Sequence, residues 1–312
     1  MRSRLLALAT LLLTAATASR AEEGGSGHYV PGAIASFIDA IPGEPGAVAL
    51  VAQSVYYSGD AGGSRTFPLG GIAVADIEAR VFGENLLGIW EPDFTPFGLD
   101  YALGIGVPFL TMKVDGSITG PLGNTLSRTD YDSGLGDLVL IPAYVGWEKD
   151  YWKLMGLLTV YAPTAEYRRG ELANIGKNYW TFEPTIGVSY LSPKNGRELD
   201  VYLGFDFNTK NPKTEYQTGT EMHVEVTAAQ HLPFGLGVGA NFFYYQQIEG
   251  DSGAGAVLGG FKARDLGVGP VLSYIKQWEG KTFAAEFKWL PELDVERRMK
   301  GDWLWLKLAF IF

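Results

Sequence analysis

The chain of 312 residues holds three histidines and no cysteine, which excludes a thiolate nucleophile or a cysteine-based zinc site. His28 lies in a Gly/Pro-rich stretch and His231 in a predicted turn. His223 is different, because Glu221 and Glu225 flank it two residues either way. On a strand all three share one face. Such a trio suits a protonatable or ligand-contacting site, or a polar network satisfied within itself. Neighbouring polar faces add Glu183, Asp200, Tyr202, Glu286 and Lys288, with Phe243 and Tyr245 as inward aromatics. These residues are the candidates for an inner lining that meets a small molecule. No phosphate-binding glycine loop, GxSxG elbow or HExxH occurs. No catalytic, cofactor-binding or metal-ligating residue is therefore assigned.

The elements that position those side chains read as strands. In 197–208, Leu199, Val201, Leu203, Phe205 and Phe207 alternate with Glu198, Asp200, Tyr202, Gly204, Asp206 and Asn208. The stretches 179–190, 221–229 and 282–290 alternate in the same way, at a period of two that a helix would smear. About twelve such runs follow one another from residue 47: 47–58, 72–84, 99–113, 135–148, 151–163, 179–192, 197–209, 220–230, 235–248, 261–277, 281–290 and 302–312. Connections after odd-numbered runs (59–71, 114–134, 164–178, 210–219, 249–260, 291–301) are long. Those after even runs are mostly tight, such as Pro193-Lys194-Asn195-Gly196. That long–short rhythm is the signature of a barrel with outer loops and periplasmic turns. Charges at Asp76, Glu78, Arg80, Asp137, Glu183, Asp200, Glu225, Glu286, Lys288 and Lys307 are expected on lumen-facing sides, since each would cost a few kcal/mol against lipid.

The last run, DWLWLKLAFIF to Phe312, would leave an open apolar edge unless it paired with the first strand. An aromatic terminal residue also resembles the signal read by the outer-membrane barrel assembly machinery, an expected partner through Phe312. The front end has the form of a cleavable signal peptide over 1–21: basic Arg2 and Arg4, an apolar run from Leu5, and Ala21 before the cut. Residues 22–46 form a Gly/Pro-rich leader or plug, and 47–312 the barrel. The fold class expected is all-β: a transmembrane antiparallel β-barrel of the outer membrane of a Gram-negative bacterium, with the leader in the lumen or free in the periplasm. A formal net charge of −10 argues against nucleic acid as a partner.

Several motifs carry a family resemblance. They are Pro42–Gly46, Asp137–Pro142 leading to Trp147, Ala162-Pro163-Thr164 with Tyr167, Asn174–Pro184, the series Asn208, Asn211, Thr214, Tyr216, Gly219 and Glu221, and Gly269-Pro270. Together they resemble the family named for the MetA pathway of phenol degradation, over nearly the whole mature chain. The chain departs from the family at Ala165, where a glycine is usual, and at Pro42–Gly46, where prolines run together. The resemblance implies a channel for small hydrophobic or aromatic compounds, with outer-membrane lipid around it, no cofactor and no chemistry on the solute. The alternatives are a general diffusion porin and a barrel enzyme of the phospholipase kind, which would need a Ser/His pair on the lipid face.

Overall fold

The computed structural model describes residues 23–39, 45–69, 72–119, 125–257, 259–260 and 262–312. The expected signal peptide and part of Pro42–Gly46 lie outside these residues. Thirteen strands form one antiparallel sheet: β1 (Val48–Leu69), β2 (Ile72–Trp90), β3 (Asp100–Thr119), β4 (Thr125–Leu135), β5 (Leu138–Lys149), β6 (Trp152–Ala162), β7 (Thr181–Leu191), β8 (Arg197–Asn208), β9 (Glu221–His231), β10 (Leu236–Gln247), β11 (Arg264–Trp278), β12 (Lys281–Glu296) and β13 (Lys300–Ile311). Successive strands pair, except β4 with β5, and β13 returns to β1 in the register Ala49↔Ile311 through Asp60↔Lys300. Mutual hydrogen bonds between Val48 and Phe312 seal the seam. β4 and β5 lie end to end along β3, which pairs with β5 through Asp100–Gly106 and with β4 through Phe109–Thr119. The closed barrel therefore has twelve staves.

Alternation decides which way each side chain points. In β13, Trp303, Trp305, Lys307 and Ala309 are buried while Leu304, Leu306 and Leu308 are exposed. Exposed aromatics ring the two ends of the apolar band, Trp90, Trp147 and Trp152 at one and Trp180, Phe207 and Trp289 at the other, the places where amphipathic rings favour the headgroup level.

Two expectations need correction. Stretches 59–71 and 114–134 are not open loops, because β1 to β4 continue their ladders through most of them. The apolar signal stops where the outer face turns polar, although the backbone pairing goes on. Glu78 and Arg80 also do not face the lumen: they pair with each other at 2.5 Å, half-exposed, on this extension. The last outer connection is likewise only a short turn after Glu296. Elsewhere the segment 163–180 covers the free edge of β4. Asp130 and Asp132 accept the N–H groups of Leu172 and Ile175 at 2.7 and 3.0 Å, which occupies an edge that would otherwise invite another strand.

Candidate functional site

Residues 23–39 run down the inside of the barrel with almost no regular structure, so their backbone groups must find partners in the wall. The inward charges of β8 to β13 supply them. Lys288 donates to the carbonyls of Gly32 and Ile34 at 3.1 and 2.9 Å. Lys307 donates to Ala33 at 3.0 Å and to Asp39 at 2.6 Å. Trp305 Nε1 donates to Pro31, Phe37 N–H to Glu198, and Gly32 N–H to Glu225. Gly32 has φ +90°, and a Cβ there would lie 2.6 Å from Leu290 and 2.8 Å from Trp305 Nε1. Only glycine fits so close to the wall.

Aromatic contacts pin the upper half of the segment. Tyr29 stacks on His223 at 4.0 Å and lies parallel to Tyr245 at 5.9 Å, while its hydroxyl donates to Glu225 at 3.0 Å. His28 stacks on Tyr161 at 4.6 Å and meets Thr181 at 2.7 Å and Asp137 at 3.3 Å. Burial holds the His28 imidazole below its usual 6.5 despite the nearby carboxylate. Burial also pushes Asp137 up, but the hydrogen bonds from His28 and from the N–H groups of Lys177 and Ala165 prevail and keep it below 3.8. Glu23, at the outer end, accepts from Tyr167 and Asn211 at 3.1 Å, and burial raises it above 4.5.

The opposite wall has another character. Inward positions of β1 to β3, β5 and β6 are mostly apolar, and with the leader they line a cavity of about 360 Å³. Val55, Val81, Leu110, Met112, Val139 and Ile141 line it, with the Gln53–Asn85 amide pair, Glu84 and Thr159 among its polar interruptions. The lumen is thus divided lengthwise, polar and filled by the leader on one side, apolar and hollow on the other.

All ten candidate residues are buried, but they do not share one space. Only Glu183 and Tyr202 border the cavity. Glu225 and Lys288 hold the leader, and Glu286 pairs with Lys288 at 3.2 Å. Phe243 packs in the cluster that receives Val30 and Ala33. Tyr245 lies parallel to Tyr29, Asp200 accepts from Ser189, and Glu221 sits opposite Asp206 in the ladder. The aromatic partner of Tyr245 is Tyr29, whereas Phe37 and Ile38 pack on Val51, Ala284 and Ala309. Sequence reasoning missed the aliphatic lining because apolar residues on both faces of a strand erase the alternation. His28 was missed too, since nothing in its own neighbourhood marks it as paired with residues 109 and 153 positions away.

Residues 62–308 match the family described as "Putative MetA-pathway of phenol degradation", and the chain belongs to that family. Among solved structures, an outer membrane channel from Pseudomonas putida F1 is similar at TM-score 0.67 and 16% identity, covering 91% of this chain and 100% of that one. A Pseudomonas aeruginosa FadL homologue gives 0.39 and 10%, covering 86% and 90%. A TodX monoaromatic hydrocarbon channel mutant gives 0.40 and 7%, also over 86% and 90%. A comparison with curated proteins gave no match.

Proposed function

We propose that the protein is an outer-membrane channel through which small hydrophobic or aromatic compounds pass along the apolar side of the lumen. The observation that carries this reading is the mostly apolar cavity between the leader and β1 to β3, β5 and β6. A diffusion pore for hydrophilic solutes has a polar, water-filled interior. Here most of one wall is apolar, and an apolar solute exchanges water for side chains there at about 25 cal/mol per Å² buried. Family membership and the fold shared with the P. putida channel support the same reading. A phospholipase-type site would need a histidine on the lipid face, and His223 is fully buried on the inner one.

The leader acts as a displaceable filling of the lumen, and the solute path follows its cavity-facing side. Residues 1–21 direct export and are removed, Phe312 engages the assembly machinery, and lipid surrounds the band of exposed apolar residues. Solute uptake by cells with and without the gene, across phenols, alkanes, fatty acids and a sugar of similar size, tests the function. Selective loss of apolar uptake supports it, and equal loss of sugar uptake would refute it in favour of a general pore.

A further inference from the structure

We propose that Glu183, Asp206 and His223 form a binding site for one divalent transition-metal ion of the zinc type. The three side chains come from inward positions on the adjacent strands β7, β8 and β9, and one donor atom from each lies within 4.8 Å of the others. His223 Nε2 is 3.2 Å from Glu183 Oε1 and 3.8 Å from Asp206 Oδ1. Tetrahedral zinc with bonds of about 2.0–2.1 Å sets its donors roughly 3.3–3.4 Å apart, a spacing that these two distances bracket.

Direction supports distance. His223 is completely buried, yet neither ring nitrogen makes a hydrogen bond. Its approach to Glu183 is close enough for one but not aligned for one. His223 Nε2 thus comes within 4 Å of both carboxylates without an aligned hydrogen bond, as ligands that share a cation do. The charges agree as well: two carboxylates and a neutral imidazole sum to the charge a dication cancels.

The surroundings hold each ligand in position. Tyr161 donates to Glu183 Oε2 at 2.9 Å, which turns Oε1 toward the ring. Such orienting contacts are the usual support of metal ligands. The imidazole lies between Tyr29, stacked at 4.0 Å, and Gly204. A Cβ on Gly204 would stand 2.3 Å from the ring, so glycine opposite His223 in the ladder makes the room that the ring occupies. Glu183 borders the cavity, which gives an ion a way in. A nitrogen ligand and so few protein oxygens do not suit calcium or magnesium. Once bound, the ion ties three strands together beneath the ring on which the leader rests. Counting histidines and cysteines conceals such a site, because two of its three ligands are carboxylates and each ligand stands on a different strand.

The test uses the tag-free, full-length mature barrel in detergent, with native folding confirmed by its mobility shift on boiling. Titration with Zn²⁺ and elemental analysis after gel filtration should find one ion per barrel. His223→Gln and Asp206→Asn should each weaken binding at least tenfold, while His231→Gln, at the periplasmic end, leaves it unchanged. Bound Co²⁺ should give a visible absorption band that either substitution abolishes. If His223→Gln does not fold, Asp206→Asn alone decides. Binding that is sub-stoichiometric, or equal in native and Asp206→Asn barrels, overturns the proposal.

Discussion

His28 and Asp137, 109 positions apart in sequence, meet at 3.3 Å where β4 ends and β5 begins. Asp137 accepts in addition the N–H groups of Ala165 and Lys177 at 2.9 and 2.8 Å. One carboxylate thus joins the leader, the break in the wall and the outer segment 163–180.

Leader docking should respond to pH through His28 and Glu23 in opposite senses. His28 sits below its free value of 6.5, so its support is full above 6.5 and is lost as pH falls through the docked value. Glu23 sits above 4.5, so its support is full below 4.5 and is lost as pH rises through the docked value. Asp137 and Lys177 face His28, and burial raises Asp39 as it raises Glu23; all three are common to the native and substituted proteins. Relative to the native barrel, His28→Gln should keep its leader better on acidification, and Glu23→Gln on alkalinisation. Limited proteolysis of the leader across the pH range reads both, and parallel shifts in the two variants would contradict the assignment.

Removal of residues 23–39 should raise single-channel conductance several-fold and reduce the preference for apolar solutes. Unchanged conductance would mean that the leader does not fill the conducting path, and would place selectivity in the outer segments.

Gly32→Ala should reproduce part of that effect with a single methyl group. The added Cβ meets Leu290 and Trp305 within 3 Å and demands an unfavourable φ, a strain of about 1–3 kcal/mol. Leader proteolysis should rise about tenfold or more, with barrel stability to urea unchanged.

Ile141→Asn places an amide in the aliphatic wall of the cavity. At about 1–3 kcal/mol for a polar group without partners, flux of an apolar solute should fall about tenfold while sugar flux does not. Equal flux of the apolar solute in both proteins would show that the path lies elsewhere.

Deleting Phe312 should lower the amount of inserted barrel and enlarge the periplasmic pool of unfolded chain. The residue closes the seam through its backbone bonds with Val48, so a pulse–chase of insertion distinguishes slow assembly from a weaker finished barrel. Insertion kinetics equal to those of the native chain would remove its role as a signal.

How much could be read in advance follows from one physical distinction. Where a strand divides two unlike media, alternation reveals it: Asp200 and Tyr202 against Val201 and Leu203 locate β8 and its inner face. Where both media are apolar, as for Val81 inside and Phe82 outside on β2, strand and face become hard to separate. That is why the inner face was legible in the polar half of the lumen, whereas in the hollow half the strands were found but not the residues that line the cavity. Outer extensions such as 125–135 failed for the converse reason, with water on most sides and no apolar face to count. The contacts of Tyr29 and His28 depend on where an irregular segment comes to rest, which no local period encodes.

The lengthwise division of the lumen also bears on turnover. A wall in which valine, leucine and isoleucine predominate shares a bilayer interior's affinity for hydrocarbon, so entry grows easier with each methylene of the solute. Departure grows harder by the same increment, about 0.8 kcal/mol, or roughly fourfold in residence time. Throughput against solute hydrophobicity should therefore rise, reach a maximum and decline. The compounds carried fastest will be those of middling oiliness, and the greasiest will act as slow-leaving blockers of the passage.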